Sequence, residues 1–212
     1  YASNFYLDMM DKAFQKHQEE GRFIFDFSKF HFRSPAGIYQ TQLVTTLTDD
    51  VTVKIEFGAK DAADPAIPTL KAKGYVTDTT ETAYFEPRRY ELMQQSAAAG
   101  EHVWEFPNGT INKKIQTIVF DESSVNISQV EVKRKGKTIR KFTRADINYA
   151  LQRHAGLTLQ ANHLIFDFAL FGFGTHGMPT HNLEFHLTVD GAGAIKTYVD
   201  GYEQVRFPKA AA

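Results

Sequence analysis

The sequence predicts a mostly β protein: two tandem eight-stranded jelly-roll sandwiches, a double jelly roll, with one short helix inserted in each. Three observations lead there. A strand core, Phe23-Ile24-Phe25-Asp26-Phe27, returns as Leu164-Ile165-Phe166-Asp167-Phe168, 141 positions later. Each copy follows a capped helix and precedes a loop and an alternating strand. The second copy also sits among short strand-like segments separated by turn signals, the pattern of a sandwich. A repeat unit this long points to tandem domains, because solenoid repeats run to roughly 20–50 residues.

The first helix is expected from about Ser3 to Glu20, with Leu7, Met10, Phe14 and His17 recurring at helical spacing and Gly21 closing it. The strand 22–30 carries the first Phe-Asp-Phe core. A long connection, Phe30 to Leu47, leads to Val51, Val53, Ile55 and Phe57, which alternate with Thr52, Lys54 and Glu56 and predict a strand with one buried face. Gly58 to Pro68 reads as a loop, Leu70 to Val76 as a short strand and Thr77 to Thr82 as a linker. These elements are too few to close a sandwich. Strands of the first unit are therefore expected upstream of Tyr1, on the order of fifty further residues with a hairpin of their own.

Pro87-Arg88-Arg89 opens the second unit. Strands are predicted around Tyr90 to Met93, His102 to Phe106, Ile115 to Phe120, Ile127 to Lys133, Lys137 to Phe142, 163–170, 183–189 and 195–205. Arg134-Lys135-Gly136 turns the fourth into the fifth, with Gly136 supplying a positive φ. Thr143 caps the second helix, Asp146 suits its first turn, Ile147, Ala150 and Leu151 form its apolar stripe, and Gly156 ends it. Leu183, Phe185, Leu187 and Val189 alternate with Glu184, His186 and Thr188. The predicted domains are 1–82, the C-terminal part of the first jelly roll; 83–207, the second jelly roll; and 208–212, a tail.

Composition narrows the function. Hydrophobic residues at 42% and charged ones at 23% fit a globular chain, and the 18 Phe and 9 Tyr favour packed sheets. A formal net charge of −1 argues against a dedicated nucleic-acid binder. The lack of Cys rules out a disulfide framework, a thiolate nucleophile and a Cys-ligated zinc. No stretch of about 18 apolar residues could form a spanning helix.

Several clusters invite a chemical reading. His176, His181, Glu184 and His186 resemble the donors of a jelly-roll metal site, but His181 and His186 are an odd number apart, so on one strand they face opposite ways. Glu184 and His186 share the face opposite Leu183, Phe185 and Leu187, which points them at solvent. Asp26 and Asp167 occupy matching places in the two copies, where a structural role accepting backbone N–H groups is expected. Lys133, Arg134, Lys135, Lys137, Arg140, Lys141 and Arg144, with Arg153 near, form the one basic concentration. It suits either an anionic partner or a solvated hairpin protecting a sheet edge. Asn108-Gly109-Thr110 and Asn126-Ile127-Ser128 match the glycosylation sequon, and Asp49, Asp50, Asp61 and Asp64 are loop acids that could meet calcium. No catalytic constellation is assembled, so no catalytic, cofactor or metal residue is assigned.

The run Val130 to Gly156, VEVKRKGKTIRKFTRADINYALQRHAG, followed by LIFDF and HNLEFHLTV, resembles the double jelly-roll major capsid proteins of tailless icosahedral DNA viruses with an internal membrane, and among them the corticovirus-type coat protein. The resemblance rests on Gly136, Lys137, Ile139, Ala145, Asp146, Gly156, Asp167, Phe168 and Leu183 in the second unit. In the first it rests on Leu7, Asp8, Gly21, Asp26, Phe27 and the DDVTVKIEFG strand. It implies a structural protein of the virion, not an enzyme, assembled in the host cytoplasm. The implied partners are a homotrimer forming a pseudo-hexagonal capsomer, neighbouring capsomers, other capsid or membrane proteins and an internal lipid membrane, without direct nucleic-acid contact. No cofactor is implied beyond calcium between subunits. The competing readings are a tandem β-sandwich carbohydrate-binding module, for which Trp104, Tyr198 or Tyr202 would be exposed platforms, and a metal-dependent jelly-roll enzyme.

Overall fold

A computed structural model describes residues 4–17, 22, 24, 43, 45, 50–62, 64, 66–67, 69–74, 85–168, 170–172 and 177–205. Helix α1 (Asn4–Ala13) precedes strands β1 (Phe85–Ser96), β2 (Gly100–Glu105), β3 (Lys113–Asp121), β4 (Ile127–Arg134) and β5 (Lys137–Thr143). Helix α2 (Arg144–Ala155), β6 (His163–Asp167), β7 (Met178–Pro179), β8 (Leu183–Val189) and β9 (Gly193–Gln204) complete the order. The strands make two antiparallel sheets. Sheet A has the order β1-β9-β3-β6, with β7 also paired to β3, and sheet B has the order β2-β8-β4-β5. The fold class is the mostly β, jelly-roll class that the sequence predicts.

The register fixes which side chains meet. Ile118 lies opposite Val199 on one side and Phe166 on the other, and Phe120 opposite Thr197 and Leu164, so these share the inner face of sheet A. In sheet B, Val130 pairs with Leu187, Val132 with Phe185, and Phe185 with Trp104. Trp104 joins the two sheets: it stacks on Phe185 at 5.2 Å and meets Phe120 edge-on at 6.2 Å. Phe168 meets Phe185 edge-on at 6.0 Å. Burial along β8 alternates strictly, as the sequence pattern requires of a strand with one face on the core.

β3 behaves differently. Ile115, Ile118, Val119 and Phe120 are all buried, so both faces of this strand are covered. The outer cover includes α1. Tyr6 stacks on Tyr198 of β9 with centroids 5.0 Å apart. Met9 and Ala13 belong to the same buried cluster as Val119, Ile165 and Tyr198, the outer-face residues that the register aligns. The Thr158 N–H donates to the Ala13 carbonyl at 2.7 Å, and the Gln15 side-chain amide donates to Thr158 Oγ1 at 2.9 Å. A helix that the duplication assigns to the first unit thus packs on the sheet of the second.

Local chemistry explains the best-defined elements. Thr143 and Asp146 form a reciprocal capping box at the start of α2, and Gly156 closes it at φ 62°. Ile147 and Leu151 are the residues that α2 buries. The β4–β5 hairpin turns through Lys135 and Gly136, both at positive φ. β3 carries a bulge between Ile115 and Thr117 where it meets β9. There the β9 backbone approaches so closely that a Cβ on Gly201 would lie 2.0 Å from the Lys114 carbonyl oxygen, so only glycine fits.

The first unit departs from expectation at several points. α1 ends at Ala13 rather than near Glu20, because Gln15 takes a left-handed φ of 51° and its amide is held by Thr158 and the Gly156 carbonyl. Among its described side chains Tyr6, Met9 and Ala13 are buried, the predicted Met10 and Phe14 are half-buried against the same cluster, and His17 is exposed. Residues 51–57 form no strand. Val51, Val53, Ile55 and Phe57 are exposed alongside Thr52, Lys54 and Glu56, since the segment pairs with none of the described strands and neither face has a cover. Residues 70–74 likewise make no strand. Asp26, the core 23–27 apart from exposed Ile24, the linker 77–82 and the tail 208–212 lie outside the described residues.

In the second unit β1 runs twelve residues, far beyond the predicted Tyr90 to Met93. It accommodates Pro87 because it is the edge strand of sheet A, where a missing N–H is tolerated. The two-residue β7 is an addition that the sequence pattern did not reveal.

Candidate functional site

The chemistry-bearing residues gather on the outer face of sheet B. The register puts Glu101, Val103 and Glu105 of β2 beside Thr188, His186 and Glu184 of β8; these adjoin Gln129, Glu131 and Lys133 of β4, next to Thr138 and Lys141 of β5. His186 is the hub. Its Nδ1 lies 2.7 Å from Glu101 Oε1 and 3.2 Å from Lys133 Nζ, and its Nε2 lies 3.7 Å from Glu184. One ring nitrogen cannot serve both neighbours at once: protonated, Nδ1 donates to Glu101; bare, it accepts from Lys133. The imidazole was expected in solvent, yet its side chain is only 13% exposed, because these neighbours wall it in.

Glu131 collects the cations. The Thr138 hydroxyl donates to it, and Lys133 and Lys141 stand 3.7 and 3.9 Å away. The Thr138 hydrogen bond, opposed by burial and helped by the charges of Lys133 and Lys141, holds its carboxyl below the usual glutamate range.

The basic run divides once folded. Arg144 is structural: its Nη1 lies 2.6 Å from both carboxylate oxygens of Glu122, whose side chain is 2% exposed, and its Nη2 donates to the His163 carbonyl. The Ile127 N–H donates to the same carboxylate at 2.7 Å. Arg134 Nη2 donates to the Pro179 carbonyl at 2.6 Å. Lys133 and Lys141 are matched to Glu131. That leaves Lys135, Lys137 and Arg140, all exposed and with no acidic partner among the described residues. A run of seven cations in the sequence leaves three without an acidic partner among the described residues. The acidic counterpart, Glu101 and Glu105 on β2, was missed; its only signal was the alternation of Glu101, Val103 and Glu105.

The remaining candidates resolve individually. His181 is exposed and bonds the neighbouring Asn182 amide, while His176 lies outside the described residues. No group of three His, Asp or Glu side chains suited to a metal occurs among the described residues. Asp167 accepts the Leu170 N–H at 2.9 Å and holds the turn after β6. Asn126 binds Asp190 through both its backbone N–H and its side-chain amide, at 2.8 and 2.6 Å. These bonds hold the Asp190 carboxyl below its ordinary range. Asn108 sits in a turn at φ 51°. Asp50 is exposed, as is the turn in which the Asp61 N–H meets Asp64, and Asp49 lies outside the described residues.

Of the expected aromatic platforms, Tyr198 and Tyr202 are buried and Trp104 is half-buried. Trp104 is wedged among Phe185, Phe106 and Phe120, while Tyr198 lies under Tyr6 and Tyr202 against Phe85, both tyrosines 3% exposed. Burial pushes the Tyr6 and Tyr202 hydroxyls far above their usual range. Arg88, Tyr90, Asn108, Lys113, Thr180 and Glu203 help line a cavity of about 280 Å³. Its Arg88 is already bridged at 3.0 Å to both Glu86 and Glu203.

Comparison with known proteins places this arrangement. The family described as viral coat protein P2 C-terminal domain matches residues 86–205, and that described as viral coat protein P2 N-terminal domain matches residues 2–77. The structure is similar to the major capsid protein P2 from bacteriophage PM2, with 18% identity and a TM-score of 0.50 over 63% of this chain and 50% of that one. It is also similar to a chain of the Sulfolobus turreted icosahedral virus, with 13% identity and a TM-score of 0.48 over 59% and 41%. This chain thus spans about half the length of the solved capsid proteins it matches. No curated protein sequence matches it. With more than half of its residues matching one coat-protein domain and the segment before them matching the companion domain, the chain belongs to the viral coat protein P2 family, structural proteins of the virion capsid rather than enzymes.

Proposed function

We propose that this chain is a major-capsid building block whose copies assemble with one another into a viral shell. In the finer form of this reading, residues 1–82 belong to a first jelly roll and residues 83–207 form a second, followed by a tail at 208–212. Three such chains make a pseudo-hexagonal capsomer, since a trimer of two-lobed subunits is close to hexagonal in outline. Capsomers then tile an icosahedral lattice around an internal membrane, with calcium as the one ion the reading admits, at subunit contacts. The carrying observation is the succession of the two coat-protein domains along one chain.

Two features support the reading. The formal net charge of −1 suits a shell separated from its genome rather than one bound to nucleic acid. Tyr198 and Tyr202 are buried and Trp104 is half-buried against Phe185, which disfavours the carbohydrate-binding alternative and its exposed aromatic platforms. Sedimentation of the full chain tests the proposal. Trimers, and larger plates of trimers on concentration, are expected; a chain that stays monomeric up to about 100 μM overturns it.

A further inference from the structure

The two edges of sheet B carry opposite charge. Edge strand β5 presents Lys137, Arg140 and Lys141, with Lys135 at the adjoining turn, and edge strand β2 presents Glu101 and Glu105. All six are exposed. Between the edges, acids and bases stand together: Glu131 beside Lys133 and Lys141, and Glu101 and Glu184 on either side of the His186 ring. The surplus lies outermost, as Glu105 at one margin and Lys135, Lys137 and Arg140 at the other, none of them with an ionic partner among the described residues.

Charged edges commonly serve to prevent strands from pairing, and that role is best filled by one sign on every edge, so that copies repel. Opposite signs on the two edges do the reverse. They leave like edges repelling and unlike edges attracting. We propose that the β5 edge of one copy docks against the β2 edge of a second copy, a head-to-tail contact between subunits of the capsid protein. Strand directions permit it: β2, β8, β4 and β5 alternate in direction, so β2 and β5 are antiparallel, and a β5 placed beside the next copy's β2 continues the antiparallel order. Val103, 49% exposed between the two glutamates, supplies apolar surface at the centre of the acidic edge. A contact between two different patches is heterologous and closes into a ring when the rotation between copies allows. The inference rests on the assembly proposed above only in taking another copy of the chain as the partner.

Charge reversal of the full chain tests it, with circular dichroism confirming that each variant is folded. Glu101→Lys with Glu105→Lys makes both edges basic; Lys137→Glu with Arg140→Glu leaves Lys135 against two new glutamates, with Lys141 facing Glu131, and so makes both acidic. Each double variant is expected to weaken self-association about tenfold or more, the scale set by like charges opposed at an interface. Raising salt from about 50 to about 500 mM NaCl should weaken the wild type as well. The variant carrying all four reversals should recover association, because its edges are complementary again. Mixing the two double variants should give assemblies with even subunit numbers, since unlike chains must alternate. Wild-type assembly that neither pair of reversals nor salt alters overturns the edge contact and leaves the capsomer reading standing. A wild type that never associates overturns both.

Discussion

Replacing Glu122 with Ala should be the most damaging single polar change in the second unit. The carboxylate, 2% exposed, is held by Arg144 at 2.6 Å and by the Ile127 N–H at 2.7 Å. Truncation leaves that N–H and the guanidinium without their acceptor. Breaking one side of a buried ion pair costs about 3–5 kcal/mol. The Arg144 side chain is 30% exposed, so water recovers part of its loss, and an expected cost of about 2–4 kcal/mol follows. Urea unfolding should show the midpoint fall with the slope unchanged. The melting temperature should drop by roughly 4 °C for each kcal/mol lost. Arg144→Ala alone should be similarly harmful. The double variant Glu122→Ala with Arg144→Ala should cost less than the sum of the singles, because neither strands the other's charge. A Glu122→Ala protein within about 0.5 kcal/mol of wild type would refute the account of α2 as a helix pinned to the β3–β4 connection by this pair.

Three further outcomes are expected. Trp104→Ala should destabilise by about 3 kcal/mol in the same unfolding assay, since the indole spans the space between Phe185 and Phe120; a loss under about 1 kcal/mol would mean the sheets pack without it. Tyr6→Ala should cost about 2–4 kcal/mol and open the α1 segment to limited proteolysis, and α1 remaining as protected as in wild type would refute its docking on Tyr198. Thr138→Val removes the main cause of the lowered Glu131 pKa, so the stability that this hydrogen bond adds should be present at neutral pH and lost as pH falls below the ordinary glutamate value of 4.5; a wild-type-minus-variant difference constant down to pH ~2 would refute it.

The elements that were legible in the sequence are those that close on themselves. Thr143, Asp146 and Gly156 specify both ends of α2 within fourteen consecutive residues, and Lys135-Gly136 specifies its turn alone. β8 was legible because its alternation coincides with a central strand that has neighbours on both sides. Residues 51–57 alternate just as cleanly, yet form no strand. Periodicity states which residues could share a face; pairing depends on distant backbone that periodicity cannot report. The same limit hid the candidate surface. The basic residues of 133–144 are neighbours along the chain, but folding sends Arg144 to Glu122, Arg134 to Pro179 and Lys133 to Glu131. Their true counterparts, Glu101 and Glu105, stand some thirty-five residues upstream at the far side of the sheet. Nothing in the sequence marks Glu122, and only the fold reveals it as buried.

The two sheets end up with different tasks, and the difference bears on assembly. Sheet A is covered on its inner face by sheet B and over β9, β3 and β6 on its outer face by a cluster that includes α1, which is why Val119, Ile165 and Tyr198 are buried while lying opposite the core. A hydrophobic outer face of that kind must be buried by the chain itself or by a partner, and here the chain does it. Sheet B keeps a polar outer face, where Glu101, His186, Lys133 and Glu131 balance one another, and leaves its uncompensated charge at the margins. Apolar contact therefore holds the helix onto its own chain. Under the edge contact proposed above, electrostatics that are weaker and sensitive to salt serve the contacts between chains. On the proposed assembly, a shell protein must fold before it assembles, and this division would let the first event finish without triggering the second.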